Sequence, residues 1–281
     1  MNTPDWQTAL RGLLKESEIV DDAAALLIDQ RRRYTGQADM VVQPHSVAAV
    51  QAVMKFCHEH RIPVTPQGGN TGLCGAAVPV GGVLLNLSKL NRIRKLNLAD
   101  NAITVEAGCV LQTVQQAAAD VDRLFPLSLA SEGSCQIGGN LACNAGGVNV
   151  VRYGTMRDLV LGLEVVLPGG ELLTQLQPLH KNTNGYDLRH LFIGSEGTLG
   201  IITAATLKLS ALPRTVEAAW VGVASIEQAV ELLTWVQGRF AERLGSFELI
   251  SRFALQLSAE FSQLNAPLDA GWHVLLELTD S

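Results

Sequence analysis

The sequence predicts an α+β fold in two layers, followed by a compositionally distinct second section that is also α+β. Three observations carry this. From Val41 onward short apolar strands alternate with amphipathic helix; the apolar run Leu159 to Leu167 turns through Pro168-Gly169-Gly170 into Glu171-Leu172-Leu173; and beyond Pro213 the small residues give way to longer strand and helix patterns. The mixture of β-α-β elements with hairpins excludes a uniformly wound parallel sheet.

In chain order, residues 7 to 32 show apolar positions at Leu10, Leu13, Leu14, Ile19, Ala23, Leu26 and Leu27, a rough 3.6 period that predicts a helix interrupted at Gly12, with Arg31-Arg32-Arg33 as its solvated end. Ser46 is placed to cap a helix whose inner face carries Val47, Val50, Val53, Met54 and Cys57. His58 and His60 at its end point to different faces, so they do not share a metal. Val41-Val42 before this helix and residues 62–65 after it read as strands, which makes a β-α-β unit, and Val83 to Leu87 supplies another buried strand. Ala102 to Ala107 alternates as a strand, Val110 to Ala119 follows as a helix, and Ile201 to Leu209 is a further strand. After Pro213 the pattern reads strand 216–223, helix 225–239, strand 247–250, helix 253–264 and a last strand 273–278.

Composition narrows the function. Hydrophobic residues make up 47% and charged residues 17%, which suits a compact chain, and a net charge of −6 without a basic run excludes a nucleic-acid surface. Five cysteines without a C-x-x-C pair read as reduced, small buried thiols. No basic-then-apolar leader opens the chain and no apolar run nears ~18 residues, so a cytoplasmic location is expected.

The informative stretch is Pro66-Gln67-Gly68-Gly69-Asn70-Thr71-Gly72, continued by Gly75-Ala76-Ala77, directly after a strand. Adjacent glycines let successive N–H groups converge on an anion such as a diphosphate. A second dense segment, Gly133-Ser134-Cys135-Gln136-Ile137-Gly138-Gly139-Asn140, continues into Asn144-Ala145-Gly146-Gly147. No Gly-x-Gly-x-x-Gly follows a strand, and no Gly-Lys-Ser/Thr, His-Glu-x-x-His or Gly-x-Ser-x-Gly occurs, which removes the common dinucleotide, P-loop, zincin and hydrolase signatures.

Together with Thr104-Val105-Glu106-Ala107-Gly108, Arg152-Tyr153-Gly154, Gly185-Tyr186-Asp187-Leu188 and Phe192 to Ile201, these blocks resemble the FAD-binding domain of the vanillyl-alcohol-oxidase-like, PCMH-type superfamily. Within it the likeness is to D-2-hydroxyglutarate and D-lactate dehydrogenases and the glycolate oxidase D subunit. It runs from Tyr34 to Leu212 and weakly beyond. The resemblance implies an N-terminal helical segment (1–33), an FAD-binding domain of two α+β subdomains (34–213) and the start of an incomplete cap, or substrate, domain (214–281). It implies FAD, with the 66–72 loop and Ala76 around the pyrophosphate, and with Ser134, Gly138, Asn140, Asn144 and Gly146 along the ribityl chain and flavin ring. Thr71, Ser134, Asn140 and Asn144 would add side-chain donors. Glu196-Gly197 and Ile201 would lie near the adenine end or the ribityl.

Where covalent relatives carry a flavin-bonding histidine this chain has Asn70, which implies non-covalent FAD. Replacing Gly69 with valine is then expected to cost flavin retention and leave the fold intact. The implied reaction is oxidation of a small D-2-hydroxy acid, with an electron-transfer flavoprotein, a quinone or a cytochrome as acceptor. The family's catalytic and metal-binding residues lie in a C-terminal half beyond the motifs present, so none is assigned. Of six histidines only His273 follows the flavin blocks, with no second ligand beside it, and Tyr186 reads as a packing aromatic at a helix start. Three accounts stay open: part of a longer dehydrogenase, a short subunit that borrows a partner's substrate site, or a non-catalytic FAD- or nucleotide-binding protein. Apolar surface between Val216 and Leu278 would favour a homodimer.

Overall fold

The computed structural model describes residues 6–263 and 267–280. Met1–Asp5 and Leu264, to which the sequence-based expectations extend, lie outside the described residues. The chain forms two compact units, one of Met1–Phe125, Ala130–Ala145 and Met156–Ser210, the other of Pro126–Leu129, Gly146–Thr155 and Ala211–Ser281.

In the first unit the long N-terminal helix is not formed. Helix α1 covers only Trp6–Arg11, and single 3-10 turns follow at Glu16–Glu18 and Ala24–Leu26. Gly12 weakens helix propagation, and the segment beyond it finds partners elsewhere. Val20 N–H donates to the Val41 carbonyl, Gln43 N–H to the Glu18 carbonyl, and the buried Glu18 carboxylate accepts from the amides of Lys15 and His45. The three arginines therefore stand exposed on a turn, not at a helix end; there the Asp29 carboxylate accepts from the amides of Arg31 and Tyr34.

Strand β1 (Met40–Val42), helix α2 (Val47–His60), β2 (Val64–Gln67) and β3 (Val83–Asn86) form the expected unit, a parallel sheet in the order β1-β3-β2. Ser46 Oγ accepts from Ala49 N–H as the cap, and Val50, Val53, Met54, Phe56 and Cys57 are buried. Val83 and Leu85 pack toward α2, whereas Leu84 and Val41 pack against Ala23, Leu26 and Leu27 of the N-terminal segment. All four β3 residues are buried because both faces are covered.

The second layer comprises β4 (Ile93–Asn97), β5 (Ala102–Glu106), α3 (Leu111–Ala119), the short β6 (Arg123–Leu124), α4 (Ile137–Ala142), β7 (Val160–Val166), β8 (Leu172–Gln175) and β9 (Ile201–Lys208). Its five-stranded sheet runs β4-β5-β9-β7-β8, antiparallel throughout, and the β7–β8 hairpin turns where Pro168-Gly169-Gly170 predicts. Of the cysteines, Cys57, Cys109 and Cys135 are buried, and burial pushes the Cys57 and Cys109 thiols up to about 11. Cys74 and Cys143 are exposed, which corrects the expectation of uniformly buried thiols: both sit on glycine-rich turns that carry little covering bulk.

The second unit holds α5 (Val150–Tyr153), β11 (Thr215–Val223), α7 (Ile226–Phe240), β12 (Leu244–Ser251), α8 (Arg252–Ser262) and β13 (Trp272–Asp280), while α6 (Arg189–Phe192) and β10 (Ser210–Ala211) precede its last segment. β13 is the central strand of an antiparallel β11-β13-β12 sheet, and α7 buries Ala229 and Val236 against Leu244, Val274 and Leu276. Ser225 and Ser251 cap the two helices. His273, buried on the central strand, has a partner that its sequence position did not reveal: Trp220 Nε1 donates to His273 Nδ1 at 3.0 Å, so the imidazole proton resides on Nε2.

One charge network around two buried carboxylates ties the five-stranded sheet together. Glu106, 1% exposed, accepts from Arg92 and Arg94; Arg94 also bridges Glu164, which accepts from Thr203 Oγ1. Burial alone would raise the Glu106 carboxyl, but hydrogen bonds from Arg92 and Arg94 outweigh it and hold the group below its ordinary range. Its contribution to stability is therefore complete above an unfolded-state value of about 4.3 and is lost as pH falls through the lower folded value. Glu106→Gln, which takes the carboxylate from the exposed Arg92 and leaves Arg94 with Glu164 alone, should destabilise the chain by about 1–2 kcal/mol in urea denaturation at pH 7. That difference from the parent should shrink below pH 4.

Candidate cofactor-binding cradle

Strand β2 does not stop at Thr65. Pro66 and Gln67 pair with Leu85 and Asn86, so the first two residues of the expected loop belong to the sheet. Gln67, 2% exposed, is a stitch at the loop base: its Nε2 donates to the carbonyls of Leu26 and Ala77 at 2.8 and 2.9 Å, and its Oε1 accepts from Asn86 Nδ2. Asn70 adopts a left-handed φ of +52° and donates through Nδ2 to the Ile28 carbonyl at 2.8 Å. Val78 N–H closes a turn onto Gly75 and places Ala76 within it. Between these ties, no backbone amide from Gly69 to Ala77 donates to a protein acceptor among the described residues. Gly72 to Cys74 and Ala76 are exposed and the rest of the row is half-buried, so these donors are open to solvent and to a ligand.

The second block comes directly alongside. A Cβ on Gly69 would collide with the Ser134 carbonyl oxygen, and Gly68 lies against Gln136 and the amide of Gly139. Helix α4 is docked by its first two amides, with Ile137 N–H donating to the Cys109 carbonyl and Gly138 N–H to Ala107 at 3.0 and 2.7 Å. Gly138 is a packing glycine, since a Cβ there would stand 2.7 Å from that of Ala107; Gly139 and Gly72 face open space. Ser134 Oγ donates to the Ser131 carbonyl, and the buried Asn140 donates weakly to Cys135 Sγ at 3.5 Å. Asn144, at φ +48°, accepts from the Arg157 amide.

The third block closes on the same place. Gly194 N–H donates to the Leu141 carbonyl and Glu196 N–H to Ala142, while Gly197, at φ +77°, lies so close to the Pro66 ring that only glycine fits. Thus Pro66 to Gly72, Ala76, Ser134, Gly138, Asn140, Asn144, Glu196 and Gly197 form one locus. Ile201 differs, being 2% exposed at the head of β9 with its side chain in the core, and Gly146 belongs to the second unit. Tyr186 is 92% exposed just ahead of α6, so it is not a packing aromatic; the short helix offers no apolar face to receive it.

Two residues here escape reading from sequence. Arg157 links the second and third blocks, its backbone amide bonding Asn144 Oδ1 while its guanidinium donates to the carbonyls of His190 and Ile193 and to His190 Nδ1. Gln136 caps no helix amide with its side chain, and its Oε1 is the only buried side-chain polar atom without a partner among the described residues. Arg157 lies outside the sequence blocks, and Gln136, although inside the second one, carries no residue type that marks it there. The donor row, the open Cα positions of Gly72 and Gly139 and the orphaned carboxamide fit a dinucleotide with an anionic diphosphate.

Residues 38–175 match the model of an FAD binding domain. The chain is 35% identical over 280 residues to a D-2-hydroxyglutarate–pyruvate transhydrogenase of Saccharomyces cerevisiae, covering 96% of this chain and 56% of the relative. It is 37% identical over 256 residues to the mitochondrial D-2-hydroxyglutarate dehydrogenase of Danio rerio, covering 90% of this chain and 48% of the relative. The chain thus spans about half the length of these curated relatives. Its fold is that of alkyldihydroxyacetonephosphate synthase, with a TM-score of 0.81 over 100% of this chain and 56% of that one at 20% identity. These relatives also correct the expected cytoplasmic location. The zebrafish enzyme is mitochondrial by name, and the absence of a leader pattern or of a helix long and apolar enough to cross a membrane among the described residues does not assign a compartment.

Two glycine substitutions separate packing from ligand space. Gly69→Val should destabilise the apo chain by more than about 1 kcal/mol, because its neighbour is backbone; this replaces the expectation that valine there spares the fold. Gly139→Ala, inside α4 with nothing near its Cβ, should stabilise the apo chain by about 0.5–1 kcal/mol. Urea denaturation of both variants checks the pair.

Proposed function

We propose that this chain, which belongs to the FAD-binding domain family through its residues 38–175, holds FAD non-covalently in the glycine cradle and contributes the flavin site of an enzyme that oxidises a D-2-hydroxy acid. The observation that carries the reading is the row of amides from Gly69 to Ala77 that bond no acceptor among the described residues. Such a row meets a diphosphate at close range without burying a protein cation. Thr71, Ser134 and the amide of Gly139 border the same space and would hold the ribityl and ring. Asn140 and Asn144 would act mainly by fixing the backbone, since both carboxamides already bond within the protein. Asn70 offers no imidazole for a covalent link, and its carboxamide is committed to Ile28.

Bound FAD supplies a hydride acceptor for the carbon that bears the substrate hydroxyl. The names of the similar proteins favour D-2-hydroxyglutarate as substrate, with D-lactate next and glycolate as a smaller analogue. We assign residues 34–213 to the FAD-binding domain and 214–281 to the beginning of the substrate domain, and take an electron-transfer flavoprotein, a quinone or a cytochrome as the acceptor.

The visible spectrum of the purified chain, before and after acid precipitation, tests the cofactor assignment. A flavin band that moves to the supernatant is the expected result; a band retained in the pellet overturns non-covalent binding, and no band after incubation with FAD overturns the cradle. Anaerobic addition of D-2-hydroxyglutarate should then bleach the band, and an unchanged spectrum with this acid and with D-lactate would reject the substrate class.

A further inference from the structure

We infer that the Gln136 carboxamide is a cofactor-directed group, held without protein partners so that FAD can hydrogen-bond to it. The inference rests on the FAD reading above and adds to it a residue inside the second glycine block that sequence alone does not assign to the cofactor. Gln136 is 8% exposed, immediately ahead of α4; its carbonyl accepts from Asn140 N–H, and the bonds of Leu111 N–H to the Cys135 carbonyl and of Ile137 N–H to the Cys109 carbonyl hold its backbone opposite Val110. Its side chain is not engaged. Oε1 is buried with no donor, and no described residue bonds the amide nitrogen. A polar side chain at this N-cap position could accept from the third amide of the helix, here Gly139, yet that bond is not made, and among the described residues the Gly139 N–H has no acceptor either. A donor and an acceptor are thus left unsatisfied side by side, at the seam where Gly68 packs against both residues.

Each unsatisfied group costs the ligand-free chain stability. Neighbouring unpaired donor and acceptor groups suit a ligand group that both gives and takes a hydrogen bond, which on FAD means a hydroxyl or the imide edge of the ring. The two ends of a carboxamide exchange by rotation about its last torsion, so either can face the ligand. The arrangement therefore trades apo stability for binding, the opposite of what a purely structural glutamine would do.

Gln136→Leu, of similar length and without polar atoms, separates the two roles. Thermal unfolding of the apo chain should shift up by about 2–4 °C, because a buried polar group is removed. Titration with FAD, followed by flavin fluorescence, should weaken about tenfold or more. A melting point and an affinity that fall together would make Gln136 structural and overturn the inference, as would unchanged affinity. Gln136→Glu, which keeps an acceptor, should retain more affinity than leucine. Titration with ADP places the contact: loss with FAD alone sets it on the ribityl or ring, and loss with both sets it on the ADP half. The parent chain is titrated in parallel. Failure of the parent to bind FAD rejects the cofactor reading itself, whereas normal parent binding with an indifferent leucine variant rejects only the role of Gln136.

Discussion

Because Gly69 has no side chain, the loop after β2 can press its backbone against the Ser134 carbonyl oxygen, and the rest of the cradle depends on that approach. Any Cβ would push the loop away from the segment that leads into α4 and separate the donor row from the open face of Gly139. The same logic repeats at Gly138 on Ala107 and at Gly197 on Pro66. Three backbone segments, far apart in sequence, meet without intervening side chains, and their amides rather than their side chains define the surface offered to a ligand.

The loop is held from behind by carbonyls that an N-terminal helix would have consumed. Gln67 reaches Leu26 O, and Asn70 reaches Ile28 O. In a continuous helix over residues 7 to 32 those oxygens would accept from amides four residues on. The broken 3-10 geometry leaves them free and also spreads Ala23, Leu26 and Leu27 over the outer face of the parallel sheet. One irregular segment thus covers apolar surface and anchors the site.

The five-stranded sheet supports the other wall. Glu106, at the end of β5, is fixed by Arg92 and Arg94, and the next residues supply the Ala107 and Cys109 carbonyls on which the first amides of α4 dock. A buried ion network is a costly way to stabilise a sheet, but it sets the end of a strand firmly. Here that end determines where α4 starts, and with it the position of Gly139.

Much of this was legible in the residues. Strict patterns gave α2 with its Ser46 cap, the apolar β3, the β7–β8 hairpin and the Ser225-capped α7, because burial on one face or both imposes a period that composition reveals. The glycine blocks carried the resemblance to FAD-binding proteins and marked the region where the structure forms the candidate cradle. What the sequence could not settle were contacts between segments distant along the chain. Residues 7 to 32 carry a helical period, yet they break into turns because hydrogen bonds to β1 and the loop compete successfully with helix formation. Gln67 was expected with the loop around the pyrophosphate, but it pairs in β2 and its side chain serves as a stitch; the roles of Arg157 and Gln136 depend on neighbours that the sequence does not show. Local sequence determined most elements and the glycine-rich character of the candidate cradle, whereas tertiary structure decided which polar groups the protein satisfies itself and which stay unpaired, since each hydrogen bond depends on a partner whose position only the folded chain defines.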